Sequence, residues 1–173
     1  AQTSGIPKII VDDAYVFYAR ISESGHSFRG DNKDGLIAAS IYLSCRKHGV
    51  PRTAKEISEI FALDPAVATT GCKNAMFILN ELEKDIADEV DRSTLCIPRP
   101  ADFIERYCSR LDILEELVKV CVFVAGRVSR MGIMGENTPN SVAAGIISYV
   151  CEAGGRRVSK RTIQDVSGVS EVT

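Results

Sequence analysis

The sequence lacks several features that would define other classes of protein. No apolar run reaches the ~18–20 uncharged residues that a membrane-spanning helix needs. No stretch alternates apolar and polar residues over more than a few positions, so strands are not predicted. The formal charge of −2 over 173 residues excludes wholesale electrostatic capture of nucleic acid but permits a local basic face.

Metal-binding and catalytic motifs are also missing. The six cysteines form no C-x-x-C pair and the only histidines are His26 and His48, so the ligand spacing of a zinc site is absent. We expect the thiols to be buried and reduced, as in a cytosolic or nuclear protein. Neither histidine lies in a triad context, and no glycine loop has the lysine and strand context of a phosphate-binding loop. The sequence therefore predicts neither an enzyme nor a cofactor or metal site.

Signals for helix starts and ends, by contrast, occur along the whole chain. Pro7 suits a first helical turn, and one face of the helix that follows is predicted to hold Ile10, Ala14, Phe17 and Ile21. Asp34 is expected to cap a second helix that ends at Gly49. Thr53-Ala-Lys-Glu56 has the form of a capping box, and Asp64-Pro65 is expected to begin a further helix. The pattern predicts an all-α protein.

Two uncharged segments indicate two helical bundles. Residues 35–45 and 141–151 hold no charge, and such a helix is stable in a water-soluble protein only where other helices enclose it. Sliding the sequence by 106 residues places residues 36–67 on residues 142–173. The five identities are Ala38 with Ala144, Ile41 with Ile147, Cys45 with Cys151, Gly49 with Gly155, and Ile57 with Ile163. We expect one bundle in residues 1–92 and another in residues 93–173.

The expected boundary follows an acidic segment. Residues 81–91 hold six acidic residues and one lysine, a net charge of −5, and Pro98 and Pro100 come next. The plain interpretation is a solvated helix end and a linker.

Basic residues are concentrated in two segments without acids. The first basic segment, residues 43–55, contains Arg46, Lys47, Arg52 and Lys55. The second basic segment, residues 153–164, contains Arg156, Arg157, Lys160 and Arg161. Each covers the end of a predicted buried helix and the start of the next helix. Solubilising charge and cations at a helix C-terminus are the plain alternative, but the recurrence favours a surface that faces an anion such as a DNA backbone.

The last fifteen residues have the pattern of a helix-turn-helix. Ser159 is expected to cap the first helix and Gly168 to permit the tight turn. Ser170 is expected to cap a second helix, which would enter a major groove by its N-terminal residues and of which the sequence holds only the start.

These residues resemble a known family. The segment from Ile41 to Ile57, IYLSCRKHGVPRTAKEI, is similar to the first cyclin-like repeat of transcription factor IIB, where the pattern is L-Y-x-x-C-R-x-x-G-x-P-R-T-x-x-E-I. Residues that resemble the second repeat of the family are Asp102-Phe103, Arg106, Cys108-Ser109, Pro139, Ser141-Val-Ala-Ala144 and Gly168-Val-Ser-Glu-Val-Thr173. The resemblance covers nearly the whole chain and favours the polymerase II or archaeal type. It implies two tandem cyclin-like bundles, with the helix-turn-helix at the end of the second.

The resemblance also implies a function. The implied function is that of a general transcription initiation factor core, which binds the TATA-box-binding protein and promoter DNA and bridges them to RNA polymerase. The implied location is the nucleus or, in an archaeon or virus, the cytoplasm. The residues expected to bind DNA are Arg29, Lys33, Arg156, Arg157, Lys160, Arg161, Ser170, Val172 and Thr173. The residues expected to bind the TATA-box-binding protein are Arg46, Lys47, Arg52 and Lys55. The alternative is a cyclin-like protein-binding scaffold, such as a kinase regulatory subunit, without DNA binding.

The sequence departs from the family pattern at several points. Asp31 and Asn137 stand where the family has arginines, so these two loops lack the family's cations at those positions. The zinc ribbon and the first helix of the first repeat have no counterpart in this sequence. Without that helix, we expect the first bundle to expose an apolar face, which would pair with a neighbour or with residues outside this sequence.

Overall fold

The computed structural model describes residues 6–26, 28–84, 86, 93–132 and 135–170. The described part contains eight helices and no strand, which confirms the predicted all-α fold class. The helices are α1 (Lys8–Ser22), α2 (Asp31–Lys47), α3 (Ala54–Phe61), α4 (Pro65–Glu83), α5 (Ala101–Arg110), α6 (Glu115–Met131), α7 (Pro139–Ala153) and α8 (Lys160–Ser167). Among the described residues, no helix is long and apolar enough to cross a membrane.

The chain divides into two compact units, residues 1–97 and 98–173. Helices α1 to α4 belong to the first unit and α5 to α8 to the second. The sequence placed the division between residues 92 and 93, so residues 93–97 belong to the first unit and not, as expected, to the second.

Helix α2 is the centre of the first unit and packs against α1, α3 and α4. Helix α1 buries Ile10, Ala14, Phe17 and Ile21, the four residues of the predicted face. These side chains pack with a larger buried set that includes Leu36, Ala38, Leu43, Ile57, Ala75 and Leu79. Full burial of one leucine or isoleucine side chain contributes about 1.5–3 kcal/mol, so this apolar core stabilises the unit.

Helices α2 and α4 approach each other closely at two glycines. A Cβ atom added to Gly71 would lie 2.3 Å from the carbonyl oxygen of Gly35, which is far inside van der Waals contact. A Cβ atom on Gly35 would lie 3.0 Å from the carbonyl oxygen of Val67. The two helices therefore meet backbone to backbone, and no larger residue fits at Gly71.

Helix α7 is the centre of the second unit and packs against α5, α6 and α8. The core of this unit includes Phe103, Ile104 and Tyr107 from α5, Cys121 and Ala125 from α6, Ile146, Ile147 and Val150 from α7, and Ile163 from α8. The two uncharged helices were expected to be enclosed on all sides, but each has an exposed residue. Ile37 on α2 is 39% exposed and Tyr149 on α7 is 69% exposed.

All six cysteines lie in the described part of the chain, and no disulfide joins them there; five are buried and Cys96 is half-buried. Burial raises the pKa of Cys72 to about 12, so that its thiol stays protonated. A hydrogen bond with Cys121 raises the pKa of Cys108 as well. The structure thus agrees with the interpretation of the cysteines as buried thiols.

The helix starts show which local signals were decisive. Thr53 and Glu56 form the predicted capping box, and Asp64 caps α4 with Pro65 in its first turn. The prediction for Asp34 was wrong, because α2 already begins at Asp31 and Asp34 lies inside the helix. Gly30, directly before the helix, has φ 54°, a conformation that residues other than glycine rarely adopt, and the helix begins right after it, earlier than predicted.

Candidate nucleic-acid interface

The two basic segments begin at helix ends of the same geometry. Helix α2 is followed by Gly49 with φ 69°, and α7 by Gly155 with φ 73°. The amide of Val50 donates to the carbonyl of Cys45 at 2.9 Å, and the amide of Arg156 donates to the carbonyl of Cys151 at 2.8 Å. These residues correspond at the 106-residue offset. The backbone of the two connections is therefore the same at this point, and their differences lie in the side chains.

In the first basic segment, Arg46 is turned toward its own unit. Its guanidinium donates from Nε and Nη2 to the carbonyl oxygen of Cys96, at 3.2 and 3.0 Å. Its Nη1 lies 3.3 Å from the sulfur of Met76, and the group lies over the Tyr42 ring. Arg46 thus holds residues near Cys96 against α2, a structural contact that a local sequence window does not reveal.

Lys47 lies in a three-residue charge cluster between α1 and the end of α2. Its Nζ lies 2.9 Å from Asp13 Oδ2, and His48 Nε2 lies 2.6 Å from the same oxygen. The hydrogen bond from Lys47 lowers the pKa of Asp13 more than the contact with His48 does. This cluster neutralises part of the charge that the sequence assigned to a basic surface.

The remaining two cations of the first basic segment are paired with acids of α3. Arg52 Nη1 lies 3.7 Å from Glu56, whose side chain is only 4% exposed, and Lys55 lies 3.9 Å from Glu59. Both pairs have the i, i+4 spacing; Lys55 and Glu59 lie on α3, where this spacing brings side chains together, and Arg52 lies just before the helix. The first basic segment ends at Lys55, and both of these acids come directly after it in the sequence. The fold therefore gives the first basic segment a mixed rather than a cationic surface.

In the second basic segment, Arg156 differs from the other three cations. Its Nη2 donates to the carbonyl oxygens of Leu111 and Asp112, which follow α5. The side chain is half-buried, and it contacts its own unit instead of extending into solvent.

Arg157, Lys160 and Arg161 are exposed, and within the described residues none of the three forms an ion pair. Arg157 lies before α8, and Lys160 and Arg161 lie in the first turn of α8; this turn contains no acidic residue, and the helix has one further along, Asp165. Ser159 caps this helix as predicted, since its Oγ accepts a hydrogen bond from the amide of Thr162 at 3.0 Å. Three cations thus lie beside the positive end of a helix, which favours an anion.

The turn after α8 has the predicted form as far as the structure describes it. Gly168 has φ 72°, and the amide of Val169 donates to Ser167 Oγ at 3.2 Å. Ser170 is exposed and, with Val169 and Lys160, lines a cleft of 220 Å³ between α7 and α8. Val172 and Thr173, which we expected to contact DNA, lie outside the described residues.

Two further residues expected at DNA lie in the first unit. Arg29 is exposed just before α2, and Lys33 is exposed in the first turn of α2. Asn137, where the family has an arginine, is exposed just before α7.

Lys33 also lines a groove of about 470 Å³ between α1 and α2. The apolar lining of this groove includes Val11, Ala14, Tyr15, Tyr18, Ile37 and Ile41. The first unit thus presents an apolar face, as the sequence predicted, and its occupant stays a prediction.

Comparison with known proteins identifies the family. Residues 1–67 match the family model described as the transcription factor TFIIB repeat. A transcription initiation factor IIB-like protein of Acanthamoeba polyphaga mimivirus is 31% identical over 98% of this chain and 38% of its own length. Transcription initiation factor IIB of Drosophila virilis is 31% identical over 100% of this chain and 55% of its own length, and that of Methanococcus maripaludis is 30% identical over 100% and 47%.

The helical units and these matches define a chain with the cyclin-like helical fold of TFIIB repeats. The chain is of the transcription factor IIB type, which confirms the resemblance seen in the sequence. This is a family of transcription factors, and nothing in these comparisons favours the alternative of a kinase regulatory subunit. The chain spans between 38% and 55% of the length of the relatives named here.

Proposed function

We propose that this chain is the core of a general transcription initiation factor, which binds the TATA-box-binding protein and promoter DNA and bridges them to RNA polymerase. The names of its viral, eukaryotic and archaeal relatives support this role. The chain acts by assembly and carries out no reaction of its own. It works in the nucleus or, in an archaeon or virus, in the cytoplasm.

The observation that carries the proposal is the group of unpaired cations at the start of α8. Arg157, Lys160 and Arg161 have no carboxylate partner among the described residues, so their charge is available to phosphates. Each phosphate that a protein neutralises releases counterions and contributes to affinity in a salt-dependent way. This surface, which we call the α8 cation surface (Arg157, Lys160 and Arg161), is proposed to contact the DNA backbone. Ser170, Val172 and Thr173 would then reach base edges from the segment after the turn.

The other expected contacts are proposed with different roles. Arg29 and Lys33 are exposed and would contact phosphates beside the first unit. Lys47 is exposed and Lys55 is half-buried, each beside an acidic partner, and both would contact the TATA-box-binding protein through a mixed-charge surface. Arg46 and Arg52 would support this surface from within, because their guanidinium groups already contact Cys96 and Glu56.

A titration tests the proposed function. The chain is added to fluorescein-labelled TATA-bearing DNA, with and without the TATA-box-binding protein, at two salt concentrations. We expect binding in the ternary mixture that weakens as salt rises. Salt-independent binding or no ternary binding would contradict the proposal.

Charge reversal tests the site. The variant Arg157→Glu with Arg161→Glu is expected to weaken ternary binding about tenfold or more, because two phosphate contacts are replaced by repulsion. The matched control is Arg127→Glu with Arg130→Glu, which reverses two exposed cations of α6 in the same unit. Equal losses in both variants would show that net charge, and not the α8 cation surface, determines binding.

A further inference from the structure

Arg156 occupies a special position between α7 and α8. Its amide closes the end of α7 through the bond to the carbonyl of Cys151. Its guanidinium donates to the carbonyls of Leu111 and Asp112 at the end of α5. Both residues directly follow the last turn of α5, where the partial negative charge of the helix end favours a cation. One residue therefore joins the α7–α8 connection to α5.

The corresponding connection of the first unit is held differently. Val50 stands at the position of Arg156, and the buried residue Pro51 follows it. Proline fixes its own φ angle, and burial anchors the ring in the unit. In the second unit Arg157 stands at the position of Pro51 and is exposed. The second connection thus lacks the buried proline, and the Arg156 side chain supplies an attachment in its place.

We infer that Arg156 is a positioning residue for the α8 cation surface and does not itself contact phosphate. It holds residues 154–159 on α5, and this fixes Arg157 and the start of α8 relative to the second unit. The inference rests on the proposed function, since it assigns a role to a neighbour of the proposed DNA contacts. Loss of the Arg156 side chain then leaves the number of phosphate contacts unchanged but requires the connection to be ordered upon binding.

The salt dependence of binding distinguishes an arginine that contacts phosphate from an arginine that only positions its neighbours. The dissociation constants of wild type, Arg156→Gln and Arg157→Gln are measured with labelled TATA-bearing DNA and saturating TATA-box-binding protein, between about 50 and 200 mM salt. For Arg157→Gln, the slope of log Kd against log salt concentration is expected to fall by about 0.9, the effect of one lost phosphate contact. Arg156→Gln is expected to weaken binding about tenfold at every salt concentration with the wild-type slope. An Arg156→Gln slope reduced like that of Arg157→Gln, or unchanged affinity, would overturn the inference.

A second measurement uses the free protein and so does not depend on DNA. The ¹⁵N order parameters of amides in residues 154–159 are expected to fall in Arg156→Gln from about 0.85 toward 0.6. The control Arg130→Gln, on α6, is expected to leave them unchanged. Unchanged order parameters in Arg156→Gln would overturn the positioning role, whereas absent DNA binding by the wild type would overturn the proposed function alone. If Arg156→Gln does not fold, Arg156→Lys replaces it, and a wild-type slope with a smaller loss of affinity and order is expected.

Discussion

Two connections of the molecule have similar backbone geometry but differently charged side chains. One joins α2 to α3, and the other joins α7 to α8. Both follow a helix that ends at a glycine with positive φ, and both lead into a capped eight-residue helix. In the first, Glu56 completes a capping box and lies near Arg52, whereas the corresponding Thr162 of the second is neutral. The comparison teaches that a duplicated backbone leaves the charge of each copy free to diverge. Only the second connection presents unpaired cations among the described residues.

The largest expected effect concerns packing, and it distinguishes the α2–α4 contact of the first unit from the central helix α7 of the second. Gly71→Ala is expected to destabilise the first unit by about 3 kcal/mol or more, because the new methyl group collides with the backbone of Gly35 and not with a movable side chain. Urea denaturation followed by circular dichroism measures the loss.

The matched control for this change is Gly145→Ala on α7. A Cβ atom there meets nothing within 4 Å, so the change is expected to stabilise the helix by about 0.5–1 kcal/mol. Equal effects of the two changes would contradict the backbone contact between α2 and α4.

An exchange of the two corresponding residues sharpens the electrostatic comparison. Glu56→Thr is expected to destabilise the first unit by about 1–2 kcal/mol, because the Thr53 amide loses its capping partner and Arg52 its carboxylate. Thr162→Glu creates the capping-box pattern on α8 and is expected to leave stability unchanged or slightly raised. It should nevertheless weaken ternary DNA binding about three- to tenfold, because a carboxylate now neutralises the α8 cation surface.

Thermal denaturation and the TATA-DNA titration measure the two effects separately. The control is Thr162→Gln, which keeps a side chain able to close the capping box but adds no charge. A Thr162→Gln loss of affinity as large as that of Thr162→Glu would show that shape, and not charge, distinguishes the two connections.

The smallest expected effect concerns the charge cluster that only the first unit has. Asp13→Asn is expected to cost about 0.5–1 kcal/mol near neutral pH, because Lys47 and His48 lose a partly exposed carboxylate. The pKa of Asp13 is lowered in the folded protein, so its contribution is present above the ordinary value of 3.8 and is lost as pH falls through the lowered value. Urea denaturation of both proteins at several pH values should show their difference in stability shrinking in acid. A difference that grows as pH falls would contradict this assignment.

Much of the fold could be predicted because its signals are local. The α1 face of Ile10, Ala14, Phe17 and Ile21 follows from helical periodicity, and the Thr53 and Ser159 caps follow from short patterns. The start of α2 was not predicted correctly from Asp34, because the helix follows Gly30, whose positive φ the residue type permits but does not require. The exposure of Ile37 and Tyr149 also required the structure, since it depends on which neighbours cover each face.

The candidate site was less predictable, because charge pairing depends on distant residues. The sequence located all eight cations of the two basic segments, but Asp13 meets Lys47 from another helix, 34 positions away. Arg46 and Arg156 donate to backbone carbonyls. Because every residue has such a carbonyl, the sequence does not indicate which ones these side chains reach. By contrast, the pairs of Arg52 and Lys55 with acids four positions later could have been found by extending the sequence window.

The contact of Gly35 with Gly71 has a consequence for motion. Helices that touch through side chains can slide by exchanging rotamers, but α2 and α4 have no side chain at this point to exchange. They should therefore move as one rigid body, so that any rearrangement of the first unit is expected to take place by displacement of α1 or α3 against that pair.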